Sequence, residues 1–500
     1  MSEISVCAGA PARLVPDDSR QVLSSRVSTA LAAPLSTGGD IHFVADGIIR
    51  RSPELEALAE RASRLPGVER VVLLPDAAPN GPEKAVSWAV QSSGFIIPAF
   101  TSNVVNCGIS LLDTSVNASE VPPEWPSELL KAIWRASGQG DYVLSAGQVD
   151  RCFLEGAPAL VSSGWLQPED AGSFEFGGVD PGTPLTTRHD LDELVPLTVR
   201  RMKKATTPVR ADLRGNHFLE AQEVGFVQDP RALLAMGLRQ GRLVLMLHTD
   251  HQVTDMVNQH YVLRETFFDK PFWKRMAYTA SKVRFHFGAP WSWSTFPERW
   301  SRYFRGRQFT VIPTETREGE RYLAAYAACS NYAYAARAAV YRMTMDVIRS
   351  MAGAAARPRL VWDAGHDSIR PAQPGGPHEF TVRKGAVESL PGKPCLIAGY
   401  YDIPSLLGVC QGSASTAYSY DHGSANFRRN LGREDSLANG QSPVRRFKAA
   451  SREPSSVRFK EELHPVRDAS SMNVLADILR REQTVRPVAW LRPVANLSEG

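Results

Sequence analysis

Four side chains in this sequence could together bind a transition metal: Cys107, His217, His248 and His366. Thiolate sulfur and imidazole nitrogen are ligands that such ions prefer. Each of these residues also has a glycine, a threonine or an amide residue beside it. A lone buried cysteine is more often an inert core residue. The prediction of a metal site therefore depends on the four residues together, and on a fold that brings their distant segments close.

A fifth reactive residue, His422, is followed by the small residues Gly423, Ser424 and Ala425. Small residues let backbone amides approach a phosphate closely. A neutral imidazole in such a place is a nucleophile toward phosphorus. We therefore predict that His422 is catalytic and that the three residues after it bind a nucleotide. The alternative is an ordinary loop histidine.

Basic residues offer contacts to phosphate groups. Arg383 and Lys384 precede Gly385 and are predicted to bind phosphate or RNA. Four further basic clusters, residues 201–204, 428–429, 445–448 and 458–460, could contact an RNA backbone. A solvated surface is the alternative for each of these groups.

Apolar periodicity predicts the elements that must position these residues. The predicted strands are residues 41–44, 68–74, 243–248, 360–362, 380–383 and 395–398. The predicted helices are residues 52–63, 191–204 and 322–355. Strands and helices follow one another irregularly, which indicates an α+β protein with a sizeable sheet.

Composition is that of an ordinary globular protein. The 500 residues are 43% hydrophobic and 22% charged, with a net charge of +4 that neither requires nor excludes a nucleic-acid partner. No apolar run reaches the ~18 residues that span a bilayer, so we expect no membrane partner. The six cysteines form no CxxC pair, and the first residues do not resemble a signal peptide. We therefore expect a cytoplasmic protein.

A series of motifs, in this order, resembles the RtcB-type RNA-splicing ligases. They extend from about residue 66 to the C-terminus: Leu65-Pro66-Gly67-Val68, Asn106-Cys107-Gly108, the segment 215–220 (GNHFLE), His248-Thr249, Arg383-Lys384-Gly385-Ala386, His422-Gly423 and Leu491-Arg492-Pro493. The segment 215–220 is the most specific of these, and the shared order carries the resemblance.

The resemblance implies an α+β fold, a single large body with a central mixed β-sheet sandwich flanked by helices. It implies a ligase domain over residues 41–500, after a loosely packed N-terminal segment at residues 1–40. Residues 426–460, which are basic and poor in apolar anchors, are expected to be a surface loop.

The resemblance also implies an activity. The family joins RNA ends that carry a 3′-phosphate or a 2′,3′-cyclic phosphate to 5′-hydroxyl ends, using GTP and Mn²⁺. One or two ions would be held, with His217 and His248 on one ion, His366 on the other and Cys107 between them. His422 would form a histidine–GMP intermediate. The residues expected to hold the nucleotide are Asn216, Glu220, Asp367, Ser405, Gly423, Ser424 and Ala425.

The chain departs from the family pattern at several positions. The aspartate three residues before the cysteine is replaced by Val104, and the penultimate lysine by Glu499. Two alternatives therefore stand beside the ligase. One is a metal-dependent enzyme that uses another nucleotide, and the other is a catalytically altered or inactive paralogue that binds RNA or metal. An activating protein partner is left open.

Overall fold

A computed structural model describes most of the chain. The described residues are 38–81, 83–101, 104–138, 141–195, 207–249, 255–262, 271–305, 309–432, 435–438, 440–449 and 458–499. The expected N-terminal segment lies outside them up to residue 37, and so does the basic cluster at residues 201–204.

Strands account for most of the structure around the predicted metal ligands. In chain order they are β1 (Asp40–Phe43), β2 (Val68–Pro79), β3 (Ala85–Ser93), β4 (Phe95–Ile96), β5 (Gly108–Asn117), β6 (Val143–Leu144), β7 (Thr207–Pro208), β8 (Phe218–Val227), β9 (Arg242–Thr249), β10 (Ile312–Pro313), β11 (Arg359–Gly365), β12 (Asp367–Pro371), β13 (Glu379–Lys384), β14 (Ala386–Glu388), β15 (Pro394–Ile397), β16 (Ser405–Cys410), β17 (Ser419–Asp421), β18 (Val444–Ala449), β19 (Phe459–His464) and β20 (Val485–Glu499).

Two large sheets organise these strands. The larger sheet has the order β11-β5-β9-β8-β20-β16-β15, and in addition β18 pairs with β20 and β19 pairs with β18. The second sheet has the order β1-β2-β3-β13-β12. Both sheets are mixed, because β1 pairs with β2 and β18 pairs with β20 in the parallel sense while their other neighbours are antiparallel. The α+β class predicted from the sequence is confirmed.

Helices alternate with these strands along the chain. They are α1 (Pro53–Ser63), α2 (Trp125–Ala136), α3 (Ala146–Glu155), α4 (Pro158–Val161), α5 (Pro168–Ala171), α6 (Thr183–Thr186), α7 (Leu191–Leu194), α8 (Pro230–Ala235), α9 (Asp255–Tyr261), α10 (Phe272–Phe287), α11 (Phe296–Phe304), α12 (Arg317–Ala352), α13 (Ala425–Leu431) and α14 (Ser470–Arg481). No helix within the described ranges is long and apolar enough to cross a membrane.

The longest helix, α12, runs through the core. Thr316 caps its first turn by accepting a hydrogen bond from the Gly319 amide, and it ends before Gly353, whose φ of +90° an L residue rarely adopts. Its many alanines are buried, and they let α12 approach α2, α3 and α6 closely. The helix predicted for residues 322–355 is therefore confirmed, with a start five residues earlier.

Two sequence-based expectations differ from the structure. The predicted helix at residues 191–204 is interrupted in its described part: α7 ends at Leu194, because Val195 precedes a proline and adopts an extended conformation. Residues 196–204 lie outside the described residues. Residues 426–460 are not one loop, since they contain most of α13 and all of β18. Val444, Phe447 and Ala449 of β18 are buried, so three apolar residues among basic ones suffice for a strand that pairs with β20.

Candidate metal and nucleotide site

Strand pairing brings the predicted metal ligands together. His248 lies opposite both Ile109 of β5 and Phe218 of β8, so Cys107 and His217 precede the two strands that flank it. His366 follows β11, whose last residue pairs with Gly108. The register of four neighbouring strands therefore places these side chains at the same edge of the larger sheet.

The side chains are close enough to share ions. Cys107 Sγ lies 3.4 Å from His217 Nε2 and 3.4 Å from His248 Nε2. His248 Nε2 lies 2.9 Å from His366 Nε2. Two groups of three have ligand atoms within 4.8 Å of one another: Cys107, His217 and His248, and then His248, His366 and His422. The convergence expected from the sequence is present, although His366 is grouped with His422 rather than with Cys107.

Hydrogen bonds outside the cluster orient two of the imidazoles. His248 Nδ1 lies 3.2 Å from the Asn216 carbonyl oxygen, and His422 Nδ1 lies 2.7 Å from the Gly385 carbonyl oxygen. A carbonyl only accepts, so each Nδ1 carries the proton and each Nε2 keeps its lone pair. These lone pairs are available to a metal or to phosphorus.

Burial keeps the imidazoles neutral. It lowers the pKa of His217 to about 4 and the pKa of His422 to about 3, and neighbouring positive groups act in the same direction. Burial also holds the pKa of His248 well below its ordinary value. At neutral pH all three are therefore uncharged, the form that ligates metals and attacks phosphorus.

A buried ion pair supports the turn that carries Cys107. Asn106 has a left-handed φ of +55°, which asparagine tolerates, and its carbonyl accepts a 2.6 Å hydrogen bond from Arg337 of α12. Arg337 also donates two hydrogen bonds, of 2.7 and 2.8 Å, to Asp363 of β11. A Cβ atom at Gly108 would lie 2.4 Å from the Arg337 guanidinium carbon, so glycine is required there.

A polar network forms around Glu220, on the neighbouring strand β8. Gln222 Nε2 donates 2.8 Å hydrogen bonds to Glu220 and to the Ser405 hydroxyl, and that hydroxyl accepts a 3.0 Å bond from the Gly399 amide. Burial raises the pKa of Glu220 to about 8. Asn496 lies opposite Glu220 on β20. Two predicted nucleotide-binding residues, Glu220 and Ser405, are thus joined by one glutamine.

Gln222 and Asp363 were not identified from the sequence. The sequence could have indicated Gln222, because residues two apart on a strand share a face and Glu220 is a predicted nucleotide-binding residue. Asp363 directly follows the predicted strand at residues 360–362, and no local pattern indicated that it pairs with Arg337, 26 residues earlier.

The other predicted nucleotide-binding residues occupy varied environments. Asn216 is exposed and offers its carbonyl to His248. Ser424 is buried and donates a 3.1 Å hydrogen bond to the Ala398 carbonyl, whereas Ala425 is exposed and Gly423 is half-buried.

Asp367 is buried beside these histidines and is fully engaged. Its oxygens lie 2.7 Å from Lys384 Nζ and 2.8 Å from the Gly385 amide. Burial alone would raise the pKa of Asp367, but the ammonium of Lys384 and the neighbouring His366 outweigh burial and hold this pKa below its ordinary value. Asp367 therefore positions Lys384 and the turn at Gly385.

The environment of Arg383 is not that of the phosphate contact predicted from the sequence. Its side chain is 2% exposed, and its guanidinium is bonded to the Ser419 hydroxyl, the Glu388 carboxylate and two carbonyls. Successive strand residues point to opposite faces, so Arg383 faces the core while Lys384 faces Asp367. Only Lys384 of the pair remains near the cluster of histidines.

Comparison with known proteins identifies similar chains. A family model described as tRNA-splicing ligase RtcB matches residues 58–499. The tRNA-splicing ligase RtcB of Thermococcus kodakarensis is 26% identical over 446 residues, which cover 84% of this chain and 83% of that protein. The tRNA-splicing ligase RtcB of Pyrococcus horikoshii is 27% identical over 75% of this chain, which spans only 40% of that protein. The RNA-splicing ligase RtcB of Mycobacterium tuberculosis is 26% identical over 60% of this chain and 63% of that protein.

Proposed function

The chain belongs to the RtcB family of tRNA-splicing ligases, and from this premise we propose that it is an RNA ligase acting through a histidine–GMP intermediate with Mn²⁺. It would join a 3′-phosphate or 2′,3′-cyclic phosphate end to a 5′-hydroxyl end. The observation that carries the proposal is the convergence of Cys107, His217, His248, His366 and His422 at one edge of the sheet.

The donor set fits a metal ion. Cys107 offers a sulfur and His248 a lone pair on Nε2, oriented by the Asn216 carbonyl, with His217 Nε2 beside them. A bound ion would neutralise charge on phosphate oxygens and orient the in-line displacement. The hydrogen bond from His248 Nδ1 to the Asn216 carbonyl is of the kind that fixes the orientation of a histidine ligand in metal sites.

His422 is suited to nucleophilic attack. Its Nδ1 proton is held by the Gly385 carbonyl, which leaves the Nε2 lone pair for the α-phosphorus of GTP. The N–P bond forms as pyrophosphate leaves. The RNA 3′-phosphate would then take GMP from His422, and the RNA 5′-hydroxyl would displace GMP to form the phosphodiester bond. Every step is a displacement at phosphorus and needs no oxidant or reductant.

The network around Glu220 supports a guanine site. A purine that carries N–H donors matches a carboxylate, and Glu220 is held in place by Gln222 and Ser405. Burial raises the pKa of Glu220, and N–H donors of a bound guanine would favour the ionised carboxylate, so guanine binding would release a proton from this side chain.

A covalent adduct tests this function. The protein is incubated with GTP and Mn²⁺, and the intact mass is measured before and after mild acid. We expect one GMP mass that is lost in acid and absent from His422→Ala. His260→Ala is the matched control, since His260 is a buried histidine of α9 bonded to Ser281. If ATP but not GTP labels His422, the covalent histidine mechanism stands and the nucleotide is ATP rather than GTP.

One alternative has specific support. Val104 supplies no carboxylate to a second ion, and Glu499, at the end of β20, replaces a lysine of the family pattern. A paralogue that binds RNA or metal without ligation accounts for both. Absence of any adduct under every nucleotide and metal condition, with RNA binding retained, would favour that alternative over the ligase.

A further inference from the structure

We propose that one exposed face of α10, together with the neighbouring Trp293, binds single-stranded RNA. This α10 face consists of Trp273, Met276, Ala277, Ala280, Arg284 and Trp293. None of these residues belongs to the cluster of Cys107 and the histidines. The inference adds a second RNA contact to the proposed ligase, and it rests on that function for the choice of RNA among polyanions.

Two exposed tryptophans mark the α10 face. Trp273, in the first turn of α10, is 65% exposed, and Trp293, between α10 and α11, is 59% exposed. Every other tryptophan whose side chain the structure describes is buried or partly buried. Phe272 and Met276, beside Trp273, are also more than half exposed. A contiguous exposed apolar patch of this kind marks an interaction site.

Helical spacing aligns the residues of the α10 face. The exposed residues recur at intervals of three or four along the helix: Trp273, Ala277, Ala280 and Arg284. Residues at these intervals lie on the same side of a helix. Phe287 is the next residue on that side, and its ring centroid lies 5.8 Å from that of Trp293. The face therefore extends along α10 for about 21 Å, at ~1.5 Å per residue, with an indole at each end.

The region around this face is strongly basic. Residues 271–305 contain seven lysines and arginines but one acid, Glu298, whereas the whole chain has 57 basic and 53 acidic residues. α10 itself contains no acid. Lys274 and Arg284 are exposed, and within the described part of the chain neither pairs with a carboxylate. Unpaired cations at a surface attract a phosphate backbone.

The mixing of cations and aromatic rings favours RNA over a membrane. Lys274 Nζ lies 5.1 Å from the centroid of the Trp273 ring, and Arg284 shares a helix side with that ring. A helix that lies in a membrane surface instead places its cations and its apolar side chains on opposite faces. A single strand of RNA offers phosphates beside unpaired bases, and each base has a face on which an aromatic ring stacks.

RNA binding without ligation tests the aromatic part of the proposal. The ligand is a fluorescein-labelled oligouridylate of about 12 nucleotides with a 3′-hydroxyl end, and its anisotropy is measured with metal-free protein and no GTP. We expect Trp273→Leu to weaken binding at least ~5-fold, which corresponds to the loss of one base stack. Trp273→Phe keeps an aromatic face and should retain most of the affinity. Phe226→Leu is the matched control, because Phe226 of β8 is 69% exposed.

Salt dependence tests the cations separately. The double variant Lys274→Gln with Arg284→Gln should reduce the slope of log affinity against log salt concentration by roughly 1.4, because each phosphate contact to a single strand contributes about 0.7. Arg480→Gln, which removes a half-exposed arginine of α14 paired with Asp477, should leave the slope unchanged. An RNA duplex of the same length should bind more weakly than the single strand, since its bases are already stacked.

Several results would overturn the proposal. They are no binding by the unsubstituted protein, unchanged affinity in Trp273→Leu, equal affinity for duplex and single strand, and an unchanged salt slope in the double variant. Binding to phosphatidylserine vesicles that is lost in Trp273→Leu, while RNA binding is not, would assign the α10 face to a membrane. Circular dichroism checks that each variant folds. Because the oligonucleotide has no 3′-phosphate and no GTP is added, failure of the ligase function would leave these measurements unaffected.

Discussion

At the scale of single residues, Val104 is the position where this chain departs most from a two-ion site. It is half-buried, three residues before Cys107, and has no metal-binding atom. Without a carboxylate at this position, a second ion beside Cys107 and His366 lacks a ligand, and we expect that ion to be held weakly or not at all.

Restoring a carboxylate at this position should add an ion. We expect Val104→Asp to raise the cobalt stoichiometry from one to two per chain, because an aspartate would supply the missing ligand. The control is Ser115→Asp, because Ser115 is partly exposed and lies on β5, the strand that follows Cys107. Val105→Asp would not serve, since Val105 is fully buried. Tight binding of two ions by the unsubstituted protein would contradict this prediction.

Glu220 gives a prediction about pH. The pKa of Glu220 is raised by burial from 4.5 to about 8 in the folded protein. Between these values the folded protein holds a proton that the unfolded chain has released, so the free energy of unfolding falls as pH rises through this window. Glu220→Gln removes that dependence and should be more stable than the parent at pH 8, by roughly 1–3 kcal/mol.

The measurement is urea unfolding at pH 5 and pH 8. The increase in the free energy of unfolding of Glu220→Gln over the parent should be larger at pH 8 than at pH 5. Glu223→Gln is the matched control on the same strand, because Glu223 is partly exposed and paired with Arg492. An equal effect of Glu220→Gln at both pH values would contradict a buried proton on this side chain.

At the scale of elements, α12 holds the turn of Cys107 through a buried ion pair. Arg337 and Asp363 are 2% and 0% exposed, and Tyr341 also donates a hydrogen bond to Asp363. Removing one member of such a pair leaves a buried charge uncompensated, which costs about 3–5 kcal/mol.

Asp363→Asn should therefore lower the free energy of unfolding by about 3–5 kcal/mol and also weaken metal binding, because Arg337 anchors the Asn106 carbonyl. Asp346→Asn, on the helix that carries Arg337, is the control. Asp346 pairs with Arg342 and Arg349 at the surface, where such pairs contribute about 1 kcal/mol or less. An equal decrease in the free energy of unfolding of the two variants would show that burial of the Arg337–Asp363 pair does not increase its contribution to stability.

At the scale of the whole molecule, the reactive residues come from positions between 107 and 422 and meet only in the folded chain. An ion that binds them binds the folded state and not the unfolded one. Binding therefore stabilises the protein by about 2.7 kcal/mol when the free ion is at one hundred times its Kd. The unfolding temperature should rise with ion concentration.

Thermal unfolding with increasing Mn²⁺ or Co²⁺ tests this coupling. We expect a rise of several °C in the unsubstituted protein and little change in His248→Ala, since His248 belongs to both groups of ligands. His464→Ala is the control, because His464 lies on β19 and contacts Glu462 and Tyr401. A full shift in His248→Ala would place the ion elsewhere in the protein.

The sequence by itself determined residue chemistry and local structure. Sulfur and imidazole at positions 107, 217, 248, 366 and 422 indicated a metal site, and apolar runs such as residues 243–248 indicated strands, because both properties belong to short stretches of chain. The order of the motifs was sufficient to indicate the family, which the family match confirms.

Only the tertiary structure decided which side chains meet. Strand register placed His366 beside His422 and turned Arg383 into the core, and pairing with β20 made a strand of residues 444–449. These outcomes depend on hydrogen bonds and burial between segments far apart in the chain. Local periodicity carries no information about which distant segment becomes the neighbour, and a shift of one residue in register would reverse the face of every side chain.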